Sequence, residues 1–252
     1  MDSKERFSSR AEAYAKYRPS YPKEAIDYLY DAAGLRADSL IADIGAGTGI
    51  FSKLLLERGS RVIAVEPNDA MRMAAEQALG FHPNFRAVPG SAESTGLPDH
   101  SADLVVCAQS FHWFDREAAK REFRRILRPG GRVFIIWYTR VTEGNPAVEA
   151  YERLLETYAI DYKTVSHRNV SKSDLLSFFK EGTMREKRFR MELKYDFDGL
   201  KGFALSSSYC PLPDHPNYGP MMAELRNLFD RHNREGTVIF VYETEIYWGE
   251  VS

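Results

Sequence analysis

The sequence predicts an α/β protein built on a doubly wound, mostly parallel sheet with an antiparallel edge strand and a helical cover. Three observations predict it. Between Ser39 and Tyr138, short β-branched runs alternate with helical patterns, the signature of parallel βαβ units. A glycine-rich turn, Asp43 to Gly49, stands between the first apolar strand and the helix behind it. Near the end of the chain, residues 184–195 and 238–247 alternate as strands do and would pair to complete one edge of the sheet.

The elements follow in order. Tyr21-Pro22 precedes a helical stretch over 23–33, which Gly34 ends. Residues 40–44 read as the first strand, 50–57 as a helix stopped by Gly59, and 61–65 as the second strand. A helix over 70–79 closes on Gly80, and 84–88 is the third strand. The fourth strand, 103–107, leads through a loop into a helix over 117–127. Pro129-Gly130-Gly131 then reads as a sharp turn before the fifth strand, 132–137. Beyond Tyr138 the pattern is less regular, with helices expected over 147–158, near 173–180 and over 220–234. The helices between 147 and 180 would cover the carboxyl edge of the sheet. We read one domain over 1–252: a helical entry segment (1–38), a cofactor-binding core (39–138), and cover helices with terminal strands (139–252).

Of the 252 residues, 44% are apolar, enough for a core in one domain of this size. The net charge of -2 gives no electrostatic reason to expect nucleic acid or an anionic membrane as partner. Two cysteines, Cys107 and Cys210, cannot form a disulfide framework, so a reducing, cytoplasmic setting is the expectation. No apolar stretch of signal-peptide or membrane-span length is found. The six histidines show no metal-ligand spacing, and no metal is expected. The basic residues Lys120, Arg121, Arg124, Arg125 and Arg128 fit the wet face of a helix whose other face carries Phe123, Ile126 and Leu127.

The glycine turn carries the strongest chemical signal. Open α/β sheets bind ligands outside the carboxyl ends of their strands, and glycines there let the backbone approach a ligand. Gly45, Gly47 and Gly49 bring the third glycine one place early for a dinucleotide fingerprint. Asp43, just before them, would repel a pyrophosphate and suit an ammonium group, such as the methionine end of S-adenosylmethionine. Glu66 ends the second strand about twenty residues on, where an acid can accept hydrogen bonds from two ribose hydroxyls. Met71, on the next helix, packs either on a flat base or into the core.

Together with Gly90-Ser91-Ala92-Glu93, Leu97-Pro98, Asp103 to Val106 and Arg128 to Gly131, these motifs stand in the order of the class I methyltransferases, which the segment 40–137 resembles. Phe7 through Tyr14, Tyr17-Arg18-Pro19, Tyr21-Pro22 and the run Cys107 to Asp115 are similar to a small-molecule branch that includes trans-aconitate-methyltransferase-like proteins. The resemblance implies S-adenosylmethionine as methyl donor, with S-adenosylhomocysteine as product, and a Rossmann-like fold. It places Gly45, Ala46, Gly47 and Gly49 under the methionine part, with Asp43 near its amino group. Glu66 would hold the ribose diol, Pro67 and Met71 would flank the adenine, and Ala92 and Glu93 would sit at its edge. Gln109 would border the sulfonium region. Tyr14, Tyr17 and Arg18 would close over the cofactor, Arg18 as partner of its carboxylate.

Methyl transfer from a sulfonium needs chiefly alignment and exclusion of water, and placement of that kind can lower a barrier by roughly 7–11 kcal/mol. Where the acceptor must lose a proton, His112, in the loop after the fourth strand, is the candidate base; otherwise it is a packing or cofactor-contact residue. Trp113 and Phe114 are expected as pocket walls and Tyr209 as an acceptor-pocket residue. The expected partner is a small-molecule methyl acceptor, with no nucleic acid and no membrane, in a monomer or homodimer. The rival readings are an NAD(P)-dependent oxidoreductase, which shares the glycine turn and the strand-end acid, and a protein that binds S-adenosylmethionine without turnover.

Overall fold

The computed structural model describes residues 10–31 and 33–251; the start of the entry segment, residues 1–9, lies outside them. Seven strands form one sheet: β1 (Leu40–Ile44), β2 (Arg61–Val65), β3 (Phe85–Val88), β4 (Ala102–Ala108), β5 (Leu127–Arg140), β6 (Arg185–Tyr195) and β7 (Val238–Gly249). Their order is β3-β2-β1-β4-β5-β7-β6. The first five are parallel, and β7 runs antiparallel to both β5 and β6. The two terminal strands pair as expected, with β6 outermost and β7 joining it to the parallel part.

The parallel strands sit deep because each contributes side chains to both faces, by the two-residue alternation of a strand. On one face Ile41, Val62, Leu104, Phe134 and Ile136 pack with α2 (Lys23–Asp31) and α3 (Ile50–Leu56). On the other, Ala42, Val105, Cys107, Val133 and Ile135 pack with Phe123 of α5 (Arg116–Ile126) and Phe178 of α7 (Lys172–Phe178). α4 (Asp69–Leu79) is started by Asn68, whose side chain accepts from the Met71 amide. Asp115 does the same for α5 through the Ala118 amide.

The turn predicted at 129–131 is a looped-out segment inside β5. Ala102 pairs with Leu127 and Leu104 with Arg132, so the intervening residues bulge from the ladder. Gly130 has φ +79°, and a Cβ on Gly131 would lie 2.9 Å from the Asp103 carbonyl oxygen. Asp103 accepts from the Leu40 amide (2.7 Å) and pairs with Arg128 (2.6 Å), which ties β4 to its neighbours and gives it a structural role.

A third core forms the cover. Tyr151 of α6 (Pro146–Tyr158), Phe203 of α8 (Phe197–Leu205) and Leu225 of α9 (Tyr218–His232) pack over Phe240 and Tyr242 of β7. α7 is not part of it, since Leu175 and Phe178 belong to the α5 side. No helix had been expected at α8. Its Gly199 and Gly202 disfavour a helix, by roughly 1 kcal/mol each, but Asp196 caps it and the bare Gly202 admits a tyrosine ring. α1 (Ala11–Tyr17) lies against α8, and Arg10 donates to the Leu205 and Cys210 carbonyls, at 2.8 and 2.5 Å.

Candidate functional site

The carboxyl ends of β1, β2, β4 and β5 converge on two neighbouring cavities. The first is lined by Gly45 and Gly47, by Glu66, Pro67 and Met71, by Ala92 and Glu93, and by Trp113 and Phe114. The second is lined by Arg18, His112, Tyr138, Arg140, His167 and Tyr209, among others. Tyr14, Gln109 and Trp113 line both. A smaller cavity beneath Tyr14 and Gln109 is lined by Asp43, Ala46 and Arg18.

The glycine turn is shaped by close approach. Gly45 (φ +68°) faces Ser110, and a Cβ there would sit 2.6 Å from the Ser110 Cβ. Only glycine accepts both the left-handed backbone and that contact. Gly47 (φ +58°) faces Met71 and Tyr14 across the first cavity. Gly49 turns away from it and packs on Leu79 and Ala75 of α4.

Glu66 is buried and already oriented. Gly47 N donates to its Oε2 and Asn68 N to its Oε1, both at 2.9 Å. Burial pushes its carboxyl above the usual range, opposed by those two amides. Each carboxylate oxygen keeps lone pairs for a further donor, so the group can hold a pair of hydroxyls. Glu93, at the far rim, accepts from the Asp115 amide at 3.0 Å.

Asp43 is fully buried at the end of β1. Ser52 Oγ donates to Oδ2 at 2.6 Å, while Oδ1 has no partner. Burial pushes its carboxyl up to about 7. Arg18 is also buried; its guanidinium stacks on Tyr14 (4.9 Å) and Phe203 (5.7 Å) and donates to the Ser206 carbonyl at 3.4 Å. Its Nε has no partner, and it makes no ion pair among the described residues. An orphaned acid oxygen and an orphaned guanidinium nitrogen, both beside the small cavity, suit a ligand carrying an ammonium and a carboxylate. That is the donor set which the methionine end of S-adenosylmethionine needs.

Tyr17 is positioned differently from the expectation. Its ring occupies the space over Gly202, where a Cβ would lie 2.4 Å away, and it lines none of the three cavities. It fastens α1 to α8, while Tyr14 and Arg18, on either side of it, reach the cavities.

In the second cavity, Arg140 ends β5. Its Nε pairs with Glu152 Oε1 at 2.7 Å, and it donates to the Tyr162 hydroxyl at 3.0 Å. Tyr162 also donates to Glu152, and Arg168 approaches that carboxylate at 3.7 Å. Two guanidiniums and a phenol thus face one carboxylate around this wall. Burial pushes the Tyr209 phenol up, but Arg140 and Arg18 outweigh it and hold the group below the ordinary range.

His112 is placed in the second cavity with its Nδ1 unpartnered. Its ring lies 5.0 Å from Trp113 and 6.0 Å from His167. Burial, reinforced by His167 and Arg18, pushes it down to about 3. A ring so hard to protonate is a weak base, which favours the packing role over proton removal. His167, tied to Thr139 Oγ1 at 2.8 Å, is pushed down to about 4, again chiefly by burial.

Sequence reasoning missed Tyr138, Arg140, Tyr162, His167 and Arg168. One signal was present: Arg140 is a charged residue closing a long apolar strand, at the edge where such sheets bind ligands. The others come from irregular chain with no periodic pattern. Among the described residues no group of three His, Cys, Asp or Glu could hold a metal ion, and no helix is long and apolar enough to cross a membrane.

Comparison with known proteins adds a likeness over part of the chain. Residues 42–135 match the family model described as a methyltransferase domain. An uncharacterised methyltransferase of Mycobacterium tuberculosis is 46% identical over 134 residues, 53% of this chain and 52% of that one. An uncharacterised methyltransferase-like protein of Schizosaccharomyces pombe is 34% identical over 156 residues, 62% of this chain and 59% of that one. The chain spans about half the length of the curated relatives it matches. A solved structure from Anaeromyxobacter dehalogenans, proposed there to be a type II methyltransferase, superposes with a TM-score of 0.70 at 24% identity, covering 93% of this chain and 98% of that one. At that identity the likeness is one of fold.

Proposed function

From the match of residues 42–135 to a methyltransferase domain, we propose that this chain binds S-adenosylmethionine in the first cavity and methylates a small acceptor in the second. The observation that carries this reading is the pair of orphaned polar atoms, Asp43 Oδ1 and Arg18 Nε, beside a cavity whose strand-end acid, Glu66, is already held by the glycine turn. The cofactor supplies an activated methyl group on a sulfonium with a good leaving group.

The protein's own part is placement. Glu66 fixes the ribose, Pro67 and Met71 flank the adenine, and Ala92 and Glu93 meet its edge. Asp43 faces the amino group and Arg18 the carboxylate, with Ala46 and Gly47 beneath. Tyr14 and Trp113 stand between the two cavities, where they exclude water and present aromatic faces to a cation, worth about 0.5–2 kcal/mol each. The acceptor is a compact molecule, to match a cavity lined by Tyr138, Tyr162 and Tyr209. With His112 held near 3, the acceptor reacts in a form that needs no strong base.

Calorimetric titration with S-adenosylmethionine, S-adenosylhomocysteine and NAD tests the reading. Micromolar binding of both adenosyl ligands with none of NAD is the expected result. Tight NAD binding with no response to the adenosyl ligands would overturn it in favour of an oxidoreductase.

A further inference from the structure

Gln109 has a backbone that an L-residue rarely adopts, with φ +58°. Three other described non-glycine residues share that region, His100, Asp161 and Glu235, and none of them lines the cavities described above. Gln109 and Tyr14 are the two residues that line all three. The strained conformation is over-determined on both sides. Gln109 N donates to the Ile136 carbonyl of β5 at 2.8 Å, and the next residue's Ser110 Oγ donates to the Ile44 carbonyl at 2.6 Å, at the end of β1. The backbone is therefore clamped across three strands in a shape that glycine would adopt without strain.

What the side chain gains from that shape is not a contact inside the protein. Its Nε2 is buried and has no hydrogen-bond partner. Strain held in place around an unfilled buried donor, at the junction of two ligand cavities, marks a functional group rather than a structural one. The polar ends of the cofactor have their own partners in Glu66, Asp43 and Arg18. The unfilled donor of Gln109 is left for the second ligand.

We infer that Gln109 is a positioning residue whose carboxamide donates a hydrogen bond to an oxygen of the methyl acceptor, so that the acceptor class is an oxygen nucleophile carrying free lone pairs. This rests on the methyltransferase reading. In the step it serves, a lone pair of an acceptor oxyanion forms the new C–O bond. The S–CH3 bonding pair leaves on sulfur, giving the neutral thioether, and no proton has to be removed. A neutral amine has a single lone pair, which the attack on the methyl group uses, so none is left to accept from Nε2.

The test compares wild type with Gln109→Gly and Gln109→Glu in three measurements. Thermal melting reads the strain, titration with S-adenosylhomocysteine reads the cofactor site, and transfer of labelled methyl from S-adenosylmethionine to a panel of compact carboxylic acids, phenols and amines reads the acceptor site. Gln109→Gly is expected to raise Tm by about 2–4 °C, to leave the S-adenosylhomocysteine Kd within about two-fold, and to lower transfer to an oxygen acceptor by about ten-fold or more. Gln109→Glu, which puts an acceptor oxygen where the donor was, is expected to lose transfer while still binding S-adenosylhomocysteine. A lower Tm in Gln109→Gly would mean that the side chain holds the fold, and a ten-fold weaker Kd that it serves the cofactor; either overturns the inference. Methyl transfer to amines alone would overturn it as well. Failure of wild type to bind S-adenosylhomocysteine would instead sink the cofactor reading beneath it.

Discussion

Glu66 and Gly47 are joined across the carboxyl edge of the sheet: the Gly47 amide donates to Glu66 Oε2 at 2.9 Å. The bond links the glycine turn after β1 to the end of β2, so the acid expected to hold a ribose also holds the loop under it. Glu66→Ala should therefore lose more than a ligand contact. Hydrogen bonds to charged groups contribute about 1.5–3 kcal/mol each, so S-adenosylhomocysteine binding should weaken by roughly 10–100-fold and Tm should fall as well. Glu66→Gln, which keeps one acceptor oxygen, should recover part of the Tm but little of the affinity. Calorimetry and thermal melting on the two variants check this.

Asp43 predicts how binding depends on pH. Its folded carboxyl is pushed up to about 7 by burial, well above the ordinary carboxylate value of 3.8. An ammonium ligand needs the ionised form. As pH falls below about 7, affinity for S-adenosylhomocysteine should drop, approaching ten-fold per pH unit. The stability effect has the opposite sense. Between about 4 and 7 the folded state holds a proton that the unfolded state has lost, so this group makes the free protein less stable as pH rises. In Asp43→Asn the affinity slope should vanish, and the stability slope should lose the part due to Asp43 while keeping that of His112. Titrations and denaturant unfolding at several pH values read the two slopes separately.

His112 gives a second pH signature. The ring is pushed down to about 3, chiefly by burial, whereas an unfolded histidine titrates near 6.5. Between those values the unfolded state binds more protons, so stability rises with pH through this window and is lost as pH falls. Replacing His112 by Asn should flatten that part of the curve in denaturant unfolding. The pH–rate profile for transfer should show no limb near 6.5 that disappears in the variant. Such a limb would mean that His112 acts as a base after all.

Glu152 neutralises part of the wall around the second cavity. It pairs with Arg140 at 2.7 Å, with only 11% and 13% of the two side chains exposed. Removing one partner of a buried pair leaves an uncompensated charge and costs about 3–5 kcal/mol. Glu152→Ala should destabilise by about that amount, and Arg140→Met with Glu152→Leu together by much less. Chemical unfolding of the single and double variants decides. A neutral Glu152→Ala would mean that solvent already screens this pair.

The sheet was legible because its strands carry a strong local signal. β1 and β2 have the bounds their apolar runs indicate, and the helices after them end at Gly59 and Gly80 or within a few residues of them. The cavities beside the glycine turn were legible for the same reason, since Asp43, Gly45, Gly47 and Glu66 all sit at the ends of those strands. The second cavity was not. Arg140, Tyr162, His167 and Arg168 come from the end of β5 and the irregular chain after α6, and long-range packing brings them beside His112. α8 escaped notice because Gly202 lowers its intrinsic helicity, and the compensating contact with Tyr17 is about 185 residues away in sequence. Tyr17 owes its expected place over the cofactor to the resemblance alone, and its ring packs on Gly202 of α8 instead.

A crystal structure of the protein grown with saturating S-adenosylhomocysteine tests the central claim most directly. The expected density has the ribose hydroxyls on Glu66, the adenine against Pro67 and Met71, and the amino and carboxylate ends beside Asp43 Oδ1 and Arg18 Nε. Adenosine density in the second cavity, or a ligand whose amino end leaves Asp43 Oδ1 unfilled, would contradict it.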